Sequence, residues 1–193
     1  MGTNDKLLMV NHYPVWPPSN GGKIRIINLA KSLSRLFDVT ILCMMGFNEA
    51  VRSKQHFRKI PVSKRIVEID VAGGFLKSLA LAPLYFRSYN CLDSFNSHEL
   101  LGLGPFANCV VNMSKDSDIV MMEHPYVSNY VEKAIKKRGI DAKIIYDAID
   151  VEYVYSISQN TRHLFNSLIN RRVLLSERNA CNLSDAIFTT TNH

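Results

Sequence analysis

The order of elements in this 193-residue sequence predicts an α/β fold, a doubly wound parallel sheet of Rossmann-like type. Three observations carry that expectation. Short runs rich in Val, Ile and Leu alternate with stretches of helical period. Those runs lack the in-out alternation of a half-exposed antiparallel sheet, so they read as strands covered on both faces. The first run feeds a Pro- and Gly-rich loop that opens directly into a helix, the β-loop-α unit from which such folds are built.

The elements follow in order. Residues 7–11 (LLMVN) read as the first strand, 13–22 as the loop and 23–36 as a helix. In that helix Ile26, Ala30, Leu33 and Phe37 fall on one stripe with Leu29 and Leu36 beside it, the pattern of a helix packed on a sheet. Residues 39–43 (VTILC) follow after so short a turn that helix and strand are neighbours in space. The basic, polar stretch 48–59 reads as a short helix and 65–70 (RIVEID) as a third strand. Between 72 and 117 a helical period is interrupted by Gly73, Gly74, Pro83 and the GLGP of 102–105, predicting two or three helices. Residues 118–123 (DIVMME) form the fourth strand. His124 and Pro125 then lead into a helix with Tyr126, Val127, Tyr130, Val131, Ala134 and Ile135 on one face, a basic last turn and Gly139 as the stop. Residues 143–147 (KIIYD), a long helix over 163–182 and a buried sixth strand at 186–191 (AIFTTT) complete the series.

With 47% hydrophobic and 21% charged residues the chain lies well away from the composition of disordered proteins. A net charge of +6 favours an acidic partner: a phosphorylated small molecule, an anionic membrane surface or nucleic acid. Nucleic acid is disfavoured, because Lys54, Arg58, Lys59, Lys64, Arg65 and residues 136–138 are scattered and no aromatic-basic RNA signature or zinc-finger spacing accompanies them. Cys43, Cys91, Cys109 and Cys181 form no C-x-x-C pair, which argues against a zinc site or a disulfide framework and for a reducing cytoplasm. The sequence reaches its first strand without a signal-peptide pattern, and its most apolar stretch, 79–86, is too short to cross a bilayer. Residues 74–90 mix apolar side chains with Lys77 and Arg87, which leaves peripheral contact with the inner membrane face open.

Open parallel sheets bind ligands beyond the carboxyl ends of their strands, so the loops after the strands are the candidate sites. In the loop after the first strand, Gly21 and Gly22 arrive together at a helix N-terminus, either as a phosphate cradle or as a turn with an awkward backbone. Neither the G-x-G-x-x-G of a dinucleotide site nor the G-x-x-x-x-G-K-[ST] of a nucleotide triphosphatase is present. After the fourth strand, Glu123 and His124 put a titratable pair within reach of a substrate hydroxyl. After the fifth, Asp147, Asp150 and Glu152 suit hydroxyl binding or helix capping, with no ligand cluster for a metal around them.

Four segments share a resemblance. His12-Tyr13-Pro14, the run SNGGKIR at 19–25 with LAKSL at 29–33, and DVTIL at 38–42 resemble the opening of the retaining glycosyltransferases of family four, which have the two-domain GT-B architecture. The segment 146–152 (YDAIDVE) resembles the family's Tyr-Asp-Ala-His-Asn-Val-Glu, with Ile149 and Asp150 standing where His-Asn is common. The resemblance implies that residues 1–193 are the N-terminal, acceptor-side domain and that a donor-binding C-terminal domain lies outside this sequence. An ending directly after a strand fits that expectation. It further implies transfer of a sugar from a nucleotide-diphosphate donor to a hydroxyl with retention, without metal or cofactor, since basic residues and helix ends neutralise the leaving diphosphate. Gly21, Gly22 and Arg25 would line the cleft near that diphosphate; His124 would be catalytic; His12, Glu123, Asp147, Asp150 and Glu152 would bind the acceptor. The implied partners are a small-molecule or lipid-linked glycan acceptor and the second domain, and the surface left uncovered without that domain would favour a homodimer. Alone, such a chain would not turn over. Two other readings share the fold: a stand-alone phospholigand-binding module and another GT-B enzyme such as a sugar-nucleotide epimerase.

Overall fold

The computed structural model describes residues 5–45, 57–72, 104–149, 151–159 and 164–189. Strand β1 (Lys6–Asn11) leads into helix α1 (Gly21–Leu33) and strand β2 (Asp38–Met45), and β3 (Phe57–Ser63) and β4 (Ile66–Ala72) form a hairpin. The order continues with α2 (Gly104–Ser114), β5 (Ile119–Met122), a 3₁₀ turn at Pro125–Val127, α3 (Ser128–Arg138), β6 (Lys143–Ala148), α4 (Glu152–Gln159), α5 (Leu164–Leu183) and β7 (Ala186–Thr189). The strands form one seven-stranded sheet in the order β3-β4-β2-β1-β5-β6-β7, parallel except where β3 meets β4. The α/β sheet expected from the sequence is the observed architecture.

Side chains alternate across a strand, so each central strand feeds two cores. Leu8 and Val10 of β1 join Phe106, Val110, Tyr126, Tyr130 and Val131 from the α2 and α3 side. Leu7 and Met9 join Ile26, Ile27 and Ala30 of α1 on the other side. Leu8, Met9 and Val10 are fully buried, which is why this strand reads as a continuous apolar run. Burying one such side chain stabilises the fold by ~1.5–3 kcal/mol. Helix α3 stops where Gly139 adopts a left-handed φ of 58° and its N–H closes on the Ile135 carbonyl.

Three expectations need correcting. Residues 57–59, read as the end of a short basic helix, lie in strand β3; its side chains alternate between exposed and half-buried, and Pro61 is tolerated because β3 is an edge strand. The rest of that stretch, 48–56, lies outside the described residues, as do 73–103, the Lys77 and Arg87 segment and Asp150. The last strand is not buried: all four residues of β7 are exposed at the sheet's other edge. Helix α1 begins at Gly21, two residues before the expected start, because Asn20 caps it by accepting the Lys23 N–H. Among the described residues no helix is long and apolar enough to cross a membrane.

Candidate functional site

The strand order turns at β1, with β2 and β4 extending the sheet one way and β5, β6 and β7 the other. The crevice beyond the carboxyl ends at such a point is where open α/β sheets hold ligands. His12 leaves β1 and His124 leaves β5 side by side there, their ring centroids 4.5 Å apart and edge to face. Tyr13 and Tyr126 lie against His12 at 4.6 and 5.0 Å, making an aromatic floor of four rings. Burial, and then the neighbouring His124, hold the His12 imidazole well below its ordinary pKa, so it is neutral at physiological pH.

His124 is held from both ring nitrogens. Its Nδ1 lies 3.1 Å from Glu152 Oε1 and its Nε2 lies 3.3 Å from the Tyr13 hydroxyl. A carboxylate only accepts, so Nδ1 carries the proton and Nε2 accepts from Tyr13. Glu152 is fixed in turn, accepting the Tyr126 hydroxyl at 3.0 Å. Glu177, reaching over from α5, accepts the backbone N–H groups of Glu152 and Tyr153 and so anchors the first turn of α4. The imidazole therefore has one orientation and a defined tautomer, the two properties required for a group that positions a substrate hydroxyl through Nε2.

Below this floor the strand register aligns a polar row across the sheet. Asn11 pairs with Cys43, Cys43 with Asp70 and Asp70 with Arg58. On the other side Glu123 extends β5 by donating its N–H to Val10 O, and Asp147 follows Tyr146, the partner of Met122. Alternation puts all six on the α1 face of the sheet, and every one except Arg58 is buried.

The row contains two sets of the same make-up, two carboxyls and an arginine. In the first, Arg25 descends from α1 and grips Asp147 with both terminal nitrogens, at 2.6 and 2.7 Å, across 122 residues of sequence. Glu123 lies 4.0 Å from the same guanidinium, fully buried, with neither carboxyl oxygen accepting a bond. Burial, followed by the Asp147 charge, drives its pKa well above the ordinary range against the pull of Arg25. Burial thus favours the neutral acid at Glu123, while Arg25 pairs with Asp147. In the second set, Arg58 holds Asp70 at 2.5 Å, and Glu68 accepts the Val15 and Trp16 amides at 2.8 and 3.1 Å. Glu68 Oε2 and Asp70 Oδ1 have no other donor, and one proton between the carboxyls satisfies both. Burial and then the Glu68 charge raise Asp70 to about 7. Burial raises the Cys43 thiol as well, which makes it a weak nucleophile.

Cys43, Glu68 and Asp70 also have the residue types of a metal centre, with donor atoms within 4.8 Å of one another. Arg58 and the two loop amides already balance their charge, so an ion would have to displace the guanidinium.

Gly21 and Gly22 occupy the first turn of α1 with helical geometry, so they are not there to allow an unusual backbone. Gly22 allows a close approach: a Cβ would sit 3.0 Å from the Tyr13 hydroxyl and push it aside, whereas at Gly21 nothing lies within 4 Å. The amides ahead of the Asn20-capped Lys23 N–H face the same end of the sheet as the histidines, a helix terminus suited to an anion.

No family model matches the chain, and no curated protein does. Among solved structures it is similar to the alpha,alpha-trehalose 6-phosphate synthase from Burkholderia multivorans, with a TM-score of 0.46 and 8% identity over 95% of this chain. The chain spans 40% of the length of that structure.

Of the residues singled out from sequence, His12, Gly22 and Glu152 meet around His124, while Arg25, Glu123 and Asp147 form a second group beside them. The sequence reading missed Tyr13, Tyr126 and Glu177, which hold the first group, and the whole Glu68, Asp70 and Arg58 set. A signal for the last existed: two acids at i and i+2 of an otherwise apolar strand must point to one buried face.

Proposed function

We propose that this chain is the acceptor-side half of a GT-B glycosyltransferase that moves a sugar from a nucleotide-diphosphate donor to a hydroxyl with retained configuration. The observation that carries the reading is convergence: two of the segments that resemble family-four enzymes, around 12–25 and 146–152, are tied to each other by Arg25 with Asp147 and to His124 by Glu152. These ties gather a buried ion pair and an oriented imidazole at the carboxyl ends of β1, β5 and β6, where open sheets of this kind bind ligands. His124 Nε2 exchanges the Tyr13 hydroxyl for the acceptor hydroxyl and orients it toward the sugar's anomeric carbon. The sugar-phosphate bond breaks as the new glycosidic bond forms, and the hydroxyl proton leaves with the diphosphate oxygen. The Gly21–Gly22 end of α1 supports the departing negative charge with backbone amides and helix dipole, so no metal or cofactor is needed. The acceptor is a small-molecule or lipid-linked glycan, and a donor-binding domain completes the cleft.

The test is a transfer assay with the product of the whole gene, a panel of nucleotide-diphosphate sugars and glycan acceptors, and analysis of the product's anomeric configuration. Retained-configuration transfer that falls at least about a hundredfold in His124→Ala supports the reading. Nucleotide binding without transfer by any donor points instead to a phospholigand-binding module.

A further inference from the structure

We propose that Glu68 is the positioning residue of this site: from the neighbouring strand its carboxylate seizes the two central amides of the first loop and sets both ends of that loop against the reacting groups. The inference rests on the functional reading above for what the loop does, and on the following geometry for how it is held.

The loop from His12 to Asn20 is poor in backbone donors, because Pro14, Pro17 and Pro18 carry no N–H. Val15 and Trp16 are the consecutive amides between those prolines, and both donate to one atom, Glu68 Oε1. The donors and the acceptor are 53 and 52 residues apart in sequence, so the contact is a tertiary anchor. Glu68 is fully buried, as is the Val15 side chain that packs into the α1-side core. A second tie comes from Asn11, whose Nδ2 donates to the Tyr13 carbonyl at 2.7 Å. Between these two ties Tyr13 is held with its hydroxyl on His124, against the space that Gly22 leaves open.

Burial and the facing Glu68 raise Asp70 to about 7, so the shared proton resides on Asp70 and leaves Glu68 Oε1 to accept the two amides. The groups that face Glu68 agree with that assignment: Asp70 on the same strand, the neutral Cys43 thiol on β2 and the Arg58 guanidinium on β3, which is bound to Asp70. The loop's placement thus depends on a residue that contacts neither donor nor acceptor.

The protein has a single tryptophan, Trp16, and it sits on this anchor, 40% exposed, so its fluorescence reports the loop. The experiment compares wild type, Glu68→Gln and Glu68→Ala by acrylamide quenching of Trp16 and by hydrogen exchange of the Val15 and Trp16 amides, with far-UV circular dichroism as the check on folding. In wild type both amides are protected. In Glu68→Ala quenching rises and exchange at the two amides speeds up by about tenfold or more, equivalent to ~1.4 kcal/mol, while the α3 amides keep their protection. Glu68→Gln keeps an acceptor oxygen of the same size, folds, and falls between the two. Rapid exchange of Val15 and Trp16 in wild type overturns the proposal whatever the variants do, and so does unchanged quenching in a folded Glu68→Ala. None of these readouts uses a ligand, so failure of the functional reading would leave them standing. With inorganic diphosphate as the probe, a shift of the Gly22 amide in wild type that weakens in Glu68→Gln joins the two.

Discussion

Replacing Arg25 by methionine keeps most of the side-chain stem and removes the charge that Asp147 and Glu123 share. Asp147 is 1% exposed and loses two charge-assisted bonds at once, of 2.6 and 2.7 Å. Stripping one partner from a buried pair costs ~3–5 kcal/mol, and because the Arg25 side chain is 30% exposed, solvent screening brings the expected loss to about 2–3 kcal/mol. The loss depends on pH in a defined direction. Without Arg25 a buried carboxylate is left without its counter-charge, and an unpaired buried charge is relieved by taking up a proton. The folded variant then binds more protons than the unfolded chain, and its stability declines as pH rises. Urea unfolding followed by circular dichroism should give a deficit of about 1 kcal/mol near pH 5 and the full amount near pH 8. Adding Asp147→Asn should recover at least about half of it, because the orphaned charge is gone. A deficit below about 0.5 kcal/mol at the higher pH, or one equal at both, would refute the reasoning.

Other outcomes follow from the same geometry. Gly22→Ala should displace the Tyr13 hydroxyl by a few tenths of an ångström and lower transfer activity, whereas Gly21→Ala, with open space around it, should stabilise the protein by up to about 1 kcal/mol in a thermal melt. Tyr126→Phe should cost about 1–2 kcal/mol by urea unfolding, since it removes the donor to Glu152 Oε2 from a buried position. Asp70 is raised to about 7 by burial and by facing Glu68 in spite of Arg58, and Glu123 is raised by burial and by facing Asp147 in spite of Arg25. Both hold a proton in the folded state that they lose when unfolded, so wild-type stability should fall as pH rises from about 4 through 7; Glu123→Gln should flatten part of that slope.

The fold was legible because Leu8, Met9, Val10, Ile41 and Leu42 are buried on both faces of the sheet, and that condition leaves an unbroken apolar run in the sequence. The edges were less legible. In β3 only one face is half covered, so Arg58 and Lys59 read as the end of a polar helix, and in β7 four exposed residues looked like a buried run because their composition is apolar. At the site, Glu123, His124, Asp147 and Glu152 stood out because loops after parallel strands are where such sheets bind ligands, and His12 and Arg25 because their segments resemble a known family. Their pairing did not. That Arg25 answers to Asp147 and His124 to Glu152 is decided by strand order, which local periodicity does not encode. Glu68 lay hidden for the same reason: its two partners are backbone amides of Val15 and Trp16, which any sequence would supply.

The central claim, that the chain presents the diphosphate- and acceptor-facing half of a transferase site, is tested most directly by following the backbone amides of the protein by NMR during titration with nucleoside diphosphates and inorganic diphosphate. The account predicts saturable shifts at Gly21 and Gly22, followed by smaller ones at Tyr13 and His124, with both kinds of anion. Shifts confined to other parts of the sheet, or none at Gly21 and Gly22 with either anion, would contradict it.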